Sequence, residues 1–381
     1  MLEALGPGTR LGYCTNVHAG HDLQSTLANL EQHAARVRER LEADQLGVGL
    51  WLAADAAEQA AGCADELRAR LDTLGLRVFT LNGFPYSNFH EPVVKHRVYE
   101  PNWGDPRRLE YTKRLALILH RLLPEGEEGS ISTLPIGWPA PPCAPVDTQA
   151  AAAALRELAL HLKRLEETTG RLIHVDLEPE TGCILERSPD VVSFWRANLQ
   201  GGPSSTSDAV NRYIRVCHDV CHAAVMFERQ EEAFDAYRRA GVRVGKVQIS
   251  SALRAGNNAS DDLCAFVEPR YLHQTSIRDE KGVRTFEDLP QALASTSRNE
   301  NAEWRVHFHV PIFLESIGTL RTTSADIPMA VDLARRDSVR HFEVETYAWG
   351  VLPPAHRTSD LSEGIAAELR WAAARCNGAR P

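Results

Sequence analysis

The chain of 381 residues is ordinary in composition, with 43% hydrophobic and 24% charged residues, and its length accommodates one large domain or two small ones. Its net charge of −9 provides no basic surface for nucleic acid or an anionic membrane, which excludes both as partners. The sequence contains no secretory-type leader, no window close to about 18 apolar residues and no CxxC pair among its eight cysteines. These features predict a cytoplasmic protein with reduced thiols and no direct membrane insertion.

Short apolar runs rich in β-branched residues alternate along the chain with segments of helical periodicity. The runs, which are typical of strands, are 10–17, 46–53, 76–86, 130–138, 171–180, 214–225, 243–253 and 341–352. Apolar residues at helical spacing mark the segments 23–41, 56–74, 106–123, 148–167 and 228–240. Continuous apolar strands separated by helices require a parallel sheet that is covered on both faces.

Eight strands, none followed by the GxGxxG motif of a dinucleotide-binding crevice, favour a (β/α)8 TIM barrel over a doubly wound sheet. We expect one domain over 1–381, because no repeat and no clear linker divides it. An excursion at 251–303, between strands seven and eight, interrupts the alternation and precedes an extra run at 304–313. We expect the excursion to contain short strands or a hairpin of its own. Such an excursion is typical of a lid or binding loop, and a merely tolerated insertion is an equally weighted alternative.

Polar residues at the carboxyl ends of barrel strands face the active-site mouth. Strands five to eight carry such residues in Glu178, Asp219, Gln248 and Glu345. Because clustered carboxylates repel one another, we expect a divalent cation among these four side chains. Three carboxylates and one amide oxygen favour Mn²⁺ or Mg²⁺, with Zn²⁺ as the less favoured ion. Salt bridges to Arg or Lys residues of the barrel are the alternative.

The stretch "IHVDLEPETG" shows how the strand end selects one acid among three. Asp176, Glu178 and Glu180 alternate along the run and therefore share one face. Pro179 marks the end of the strand, which places Glu178 at the mouth as a ligand or base. Asp176 lies deeper, where a buried charge needs a partner, and Glu180 is a candidate rim residue.

Three histidines are further candidate metal ligands. His222 lies three residues after Asp219, and "HFH" places His307 and His309 on one face of an extended run. The alternative for His222 is a structural role as a hydrogen-bonded histidine. The alternative for His307 and His309 is a position on an exposed strand face.

Candidate substrate contacts lie in three segments at the predicted mouth. The stretch "NGFPYSNFHEP" mixes aromatic and polar residues, as a substrate-binding wall does, although an ordinary turn is equally compatible. The other two segments are the Pro-rich "GWPAPPCAP" and the excursion. The candidates are Asn82, His90, Trp138 and His273.

The motifs of strands five to eight resemble those of the xylose isomerase-like TIM barrel superfamily, which includes sugar epimerases of the tagatose epimerase type and endonuclease IV. They are Glu178-Pro179, Asp219-x-x-His222, Gln248-Ile-Ser, the late "HFH" and a terminal glutamate. Along nearly the whole chain, "LGYCTNVHAG", "FTLNGFPYSNFH" and "HVDLEPETG" are also similar to EboE-type metabolite traffic proteins of bacterial Ebo gene clusters.

The resemblance implies a metal-dependent sugar isomerase or epimerase-like protein that acts on a small, sugar-like metabolite in a biosynthetic or metabolite-traffic pathway. Other proteins of the Ebo cluster are the implied protein partners. In the epimerases, carboxylates at the positions of Glu178 and Glu345 exchange a proton with the carbon beside a carbonyl, whose oxygen the metal polarises. The resemblance therefore implies that these two carboxylates are catalytic.

The sequence departs from the superfamily pattern in three places. Gln248 stands where strand seven usually supplies a histidine, which weakens a zinc site and favours, as an alternative, a non-catalytic metabolite-binding or carrier protein. Gly83 and Leu134 occupy the positions of two endonuclease histidines, so an endonuclease IV-like phosphoesterase is the least favoured function. The excursion at 251–303 is foreign to the simple epimerases.

Overall fold

In the computed structural model of the protein, which describes residues 2–201, 203–256, 261–295 and 302–377, eight parallel strands close into a barrel. Each predicted apolar run overlaps one of these strands, and the predicted barrel is confirmed. The barrel closes where Arg10 of the first strand pairs with His341 of the last. The strands are β1 (Arg10–Cys14), β2 (Leu46–Trp51), β3 (Leu76–Asn82), β4 (Gly129–Thr133), β5 (Ile173–Leu177), β6 (Ile214–Asp219), β7 (Val244–Ile249) and β14 (His341–Val344).

Amphipathic helices connect the strands, and their apolar faces join the main core with the strands. The predicted stripe at 56–74 forms two helices that meet at Cys63. No helix within the described ranges is long and apolar enough to cross a membrane. The helices are α1 (Leu23–Asn29), α2 (Ala35–Arg40), α3 (Ala54–Gly62), α4 (Ala64–Thr73), α5 (Pro106–Leu122), α6 (Thr148–Thr169), α7 (Ser188–Phe194), α8 (Ser204–Tyr213), α9 (Val220–Val225), α10 (Gln230–Ala240), α11 (Leu289–Ala294), α12 (Ile327–Arg336) and α13 (Leu361–Cys376).

The predicted run at 214–225 is only half strand. β6 ends at Asp219, and the helix α9 begins at the next residue. Asp219 causes the change, because its Oδ1 accepts the backbone N–H of His222 at 2.8 Å and caps the new helix. The cap turns the chain sharply and holds His222 beside Asp219 at the mouth of the barrel.

The chain between β7 and β14 builds a second sheet, antiparallel and six-stranded, with its own hydrophobic core. The predicted excursion at 251–303 covers only part of this sheet, and its positions 257–260 and 296–301 lie outside the described residues. The extra run at 304–313 adds a strand to the same sheet. The strands are β8 (Leu253–Gly256), β9 (Thr275–Asp279), β10 (Gly282–Phe286), β11 (Glu303–Val306), β12 (Ser316–Ile317) and β13 (Leu320–Thr322).

A buried ion pair fills the barrel interior below the mouth. Lys246 of β7 and Glu343 of β14 are both fully buried and in direct contact. The Glu343 carboxylate lies against the backbone of Gly49, where a Cβ would meet its Oε1 at 1.2 Å. A glycine is required at that position because any side chain would collide with the ion pair.

Candidate metal centre at the barrel mouth

The carboxyl ends of four neighbouring strands bring the predicted oxygen ligands together. Glu178 follows β5, Asp219 ends β6, Gln248 lies in β7 and Glu345 follows β14. All four side chains are at least 96% buried. One carboxylate oxygen from each of the three acids lies within 4.8 Å of the other two, which is close enough to share one cation. We call these four side chains the oxygen cluster.

Hydrogen bonds hold two of the acids in position. Asp219 Oδ1 accepts the Ser250 hydroxyl at 2.8 Å, in addition to its helix-cap bond. Glu345 Oε1 accepts the amide groups of Asn16 at 2.7 Å and Asn82 at 3.0 Å. Glu345 Oε2 accepts the amide of Gln248 at 3.1 Å. These bonds orient the side chains as the outer partners of metal ligands do.

Several buried atoms at the mouth have no hydrogen-bond partner. Four of them are candidate metal ligands, namely Glu178 Oε2, Asp219 Oδ2, Gln248 Oε1 and His309 Nε2. The first three are acceptors by chemistry, and His309 becomes one because its Nδ1 donates to the backbone carbonyl of Glu345 at 2.8 Å. An unsatisfied buried polar group costs about 1–3 kcal/mol, a cost that coordination to a divalent cation removes. The donor set therefore fits a hard or borderline divalent ion.

The electrostatics of the cluster also favour a cation. Burial, followed by the charges of Glu345 and Asp219, raises the pKa of Glu178 well above its usual range. Burial and the charge of Asp219 raise the pKa of Glu345 to about 8. Lys246 is the nearby ammonium group in the barrel, and it contacts Glu343 instead of these acids. The predicted alternative, in which barrel Arg or Lys residues neutralise the cluster, is not what the described residues show.

The "HFH" segment reaches the mouth from the second sheet. It follows β11, and its two histidines, His307 and His309, lie side by side with ring centroids 5.1 Å apart. Desolvation lowers the pKa of His309 to about 4 and that of His307 well below its usual value. Both rings are therefore neutral at physiological pH, which is the state that binds metals.

A cavity opens above the oxygen cluster. Aromatic side chains from loops of the barrel and of the second sheet form its wall. Two of them, Phe84 and Phe89, lie in the stretch "NGFPYSNFHEP" that the sequence offered as a substrate-binding wall. The sequence analysis did not identify Tyr99, Tyr271, Tyr347 or Asn16, although Asn16 stands two residues after β1, where the rule about strand ends applies. The aromatic wall consists of Phe84, Phe89, Tyr99, Tyr271 and Tyr347.

Of the four predicted substrate contacts, the structure brings only Asn82 to the lining of this cavity. His90 binds the backbone carbonyl of Asn16 at 2.7 Å. His273 bonds through both ring nitrogens, to the His307 carbonyl and to Glu268. Trp138 packs on Tyr99 behind the wall, with ring centroids 5.1 Å apart. These three side chains support the mouth from outside.

Comparison with known proteins establishes the fold. No family model and no curated protein matches the chain. A xylose isomerase-like TIM barrel protein from Mycobacterium smegmatis, solved with magnesium, is 12% identical with a TM-score of 0.55 and covers 99% of both chains. The IOLI protein, solved with a zinc atom, is 11% identical with a TM-score of 0.50, covering 97% of this chain and 99% of the other. The chain thus has the (β/α)8 TIM barrel fold of these proteins.

Proposed function

We propose that this protein is a metal-dependent isomerase or epimerase of a small polyol that carries a carbonyl group. The observation that carries the proposal is the cluster of three buried carboxylates, Glu178, Asp219 and Glu345, whose ligand oxygens lie within 4.8 Å of one another beside a cavity at the barrel mouth. Strongly perturbed carboxyl groups in a cleft are typical of catalytic acids and bases. Mn²⁺ or Mg²⁺ suits the oxygen donors, and the imidazole of His309 also admits Zn²⁺.

The two glutamates supply the proton chemistry. A divalent ion held by the oxygen cluster supplies Lewis-acid polarisation of a carbonyl when it is bound. Glu178 then removes the proton from the neighbouring carbon, and the electron pair of that C–H bond moves into the carbonyl group to give an enediolate. Glu345 returns a proton to the same carbon for epimerisation or to the next carbon for isomerisation. The side-chain amides of Asn16 and Asn82 donate hydrogen bonds to Glu345 Oε1 and fix the orientation of its carboxylate.

The cavity favours an uncharged substrate with an apolar portion. Lys95 is the cationic side chain in the described lining, and its ammonium group contacts Asp288 at 2.5 Å. A phosphate group therefore finds no free positive partner there. The aromatic wall offers stacking surfaces for a sugar ring or an attached apolar group. We propose unphosphorylated ketoses and related small polyols that carry a carbonyl group as the substrate class.

Solvent-deuterium exchange tests this function without a known product. We expect the protein, loaded with Mn²⁺ and incubated in D₂O with a panel of such compounds, to introduce deuterium at the carbon beside the carbonyl of at least one. Nuclear magnetic resonance of the recovered compound measures the exchange. Removing the metal with a chelator is expected to abolish exchange, and adding it back is expected to restore it. Full exchange by the chelated protein would refute the mechanism.

A carrier protein is the second proposal, and Gln248 favours it. Its amide donates to Glu345 in place of the histidine that is usual on strand seven, and amide donors make a carboxylate a weaker base. A protein of this kind retains the mouth, binds the metabolite and passes it to partner proteins, as the similarity to Ebo-cluster proteins suggests. Tight binding of a panel compound without deuterium exchange, with Mn²⁺ present, would support this function.

A further inference from the structure

Asn16 and Asn82 make the same hydrogen bond at the mouth but differ in their side-chain carbonyl groups. Their Nδ2 amides donate to Glu345 Oε1 at 2.7 and 3.0 Å, and both residues are 2% exposed. Asn82 Oδ1 accepts the backbone N–H of Phe84 at 3.0 Å. Asn16 Oδ1 is buried and has no hydrogen-bond partner among the described residues. Asn16 therefore has an unused acceptor that its counterpart does not have.

The orientation of the Asn16 amide is fixed by its neighbours. Glu345 Oε1 already accepts the Asn82 amide, whose own orientation is determined by the Phe84 N–H. The group of Asn16 that faces this oxygen is therefore its nitrogen, because its carbonyl would place an acceptor against an acceptor. Since covalent geometry holds the nitrogen and oxygen of an amide about 2.3 Å apart, Asn16 Oδ1 lies at most about 5 Å from Glu345 Oε1.

The position of Asn16 in the fold keeps this acceptor close to the reacting groups. Asn16 lies in a single 3₁₀ turn, Thr15–Val17, directly after β1. Its backbone carbonyl is bound by the ring of His90 at 2.7 Å, which ties the turn to the loop after β3. Asn16 lines the same cavity as Glu178 and Glu345. A ligand in that cavity is therefore within reach of the Asn16 side chain and of both glutamates.

We propose that Asn16 Oδ1 accepts a hydrogen bond from a substrate hydroxyl group beside the carbon to which Glu345 returns a proton, an inference that rests on the proposed function. A buried acceptor without a donor costs about 1–3 kcal/mol, and a ligand hydroxyl removes this cost. The contact narrows the substrate class to compounds with a hydroxyl group next to the carbonyl. Simple ketones leave the acceptor unpaired, and a site built to hydrogen-bond a hydroxyl group discriminates against them.

Crystals of the Mn²⁺-loaded protein soaked in xylitol test the contact without turnover. Xylitol has the hydroxyl groups of a sugar but no carbonyl group, so neither glutamate can transform it. A xylitol oxygen is expected at about 2.5–3.0 Å from Asn16 Oδ1. Xylitol bound in the cavity without this contact, a cavity free of xylitol at saturating concentration, or manganese bound to Asn16 Oδ1 would overturn the proposal.

Two alanine variants separate this contact from the support of Glu345. Asn16→Ala and Asn82→Ala both remove a donor to Glu345 Oε1, but only Asn16→Ala removes the unused acceptor. By calorimetry, the xylitol affinity of the Mn²⁺-loaded protein is expected to be about 5–10-fold lower in Asn16→Ala than in Asn82→Ala, the effect of one hydrogen bond. Circular dichroism establishes that both variants remain folded.

Equal losses of xylitol affinity in the two variants would show that Asn16 acts only through Glu345, and would overturn the proposal. The proposed function fails by a different result, which is the absence of deuterium exchange from a protein that binds xylitol through Asn16.

Discussion

Glu178→Gln is expected to reduce deuterium exchange by about 10³-fold or more while leaving the fold intact. The carboxylate acts as the base, and general base catalysis alone contributes about 10²–10⁴-fold. Its Oε2 is also one of the four unpartnered ligand atoms, so the variant additionally weakens the cation site. The amide side chain has nearly the same volume, which limits the change to charge and basicity. Exchange rates measured with saturating Mn²⁺ check the prediction.

A matched variant separates loss of the base from loss of charge near the mouth. Glu91→Gln makes the same change at a half-exposed position in the loop after β3, where the carboxylate pairs with Arg97. It is expected to keep wild-type exchange. Equal activity of Glu178→Gln and wild type would exclude Glu178 as the base, and equal losses in both variants would point to a general electrostatic effect.

Lys246→Met is expected to lower the free energy of unfolding by about 3–5 kcal/mol, which is typical when one partner of a buried ion pair is removed. Lys246 and Glu343 are both fully buried, so the remaining carboxylate would have neither water nor a counter-charge. Lys246 also donates to the Ser132 hydroxyl at 3.3 Å. Urea unfolding followed by circular dichroism measures the change.

Two further variants test whether the lower free energy of unfolding of Lys246→Met comes from the uncompensated charge. Arg97→Met breaks an exposed pair with Glu91 and is expected to cost less than about 1 kcal/mol. The double variant Lys246→Met/Glu343→Leu replaces both charges with apolar groups and is expected to recover most of the stability, because no uncompensated charge remains. A double variant as unstable as Lys246→Met alone would show that packing, and not the orphaned charge, causes the loss.

The fold could be predicted because the strand runs and helix stripes are local patterns. The stripe at 106–123, for example, corresponds to the helix Pro106–Leu122. The apolar run at 214–225 predicted one strand, but the strand ends at Asp219. The side chain of Asp219 caps a helix that begins at the next residue. The short strands of the excursion could be predicted, but not their assembly into one six-stranded sheet, because its ladders join residues as distant as Leu253 and Val306.

The oxygen cluster could be predicted because it follows from a rule about strand ends, which needs only the position of each strand. The supporting groups could not be predicted this way. Tyr347 and Tyr271 reach the cavity from loops, and His273 turns away from it to bond with Glu268 and with the backbone of the "HFH" segment. Side-chain direction in an irregular loop depends on contacts between distant parts of the chain.

Other polar groups lie at the mouth in place of the histidine that the superfamily usually has on strand seven. Gln248 offers an amide oxygen, and His309 brings an unpartnered ring nitrogen to Asp219 from the inserted segment. A nitrogen donor is therefore still present at the mouth, but it comes from the second sheet and not from the barrel. The proposed metal binding therefore depends on the packing of the inserted segment on the barrel.

Anomalous diffraction from crystals soaked in Mn²⁺ tests the central claim most directly, because it locates the ion without reference to any substrate. We expect a manganese peak at the barrel mouth with oxygen atoms of Glu178, Asp219 and Glu345 at about 2.0–2.6 Å, the range for bound hard cations. A mouth without anomalous density at saturating Mn²⁺, or a peak bound only elsewhere on the protein, would contradict it.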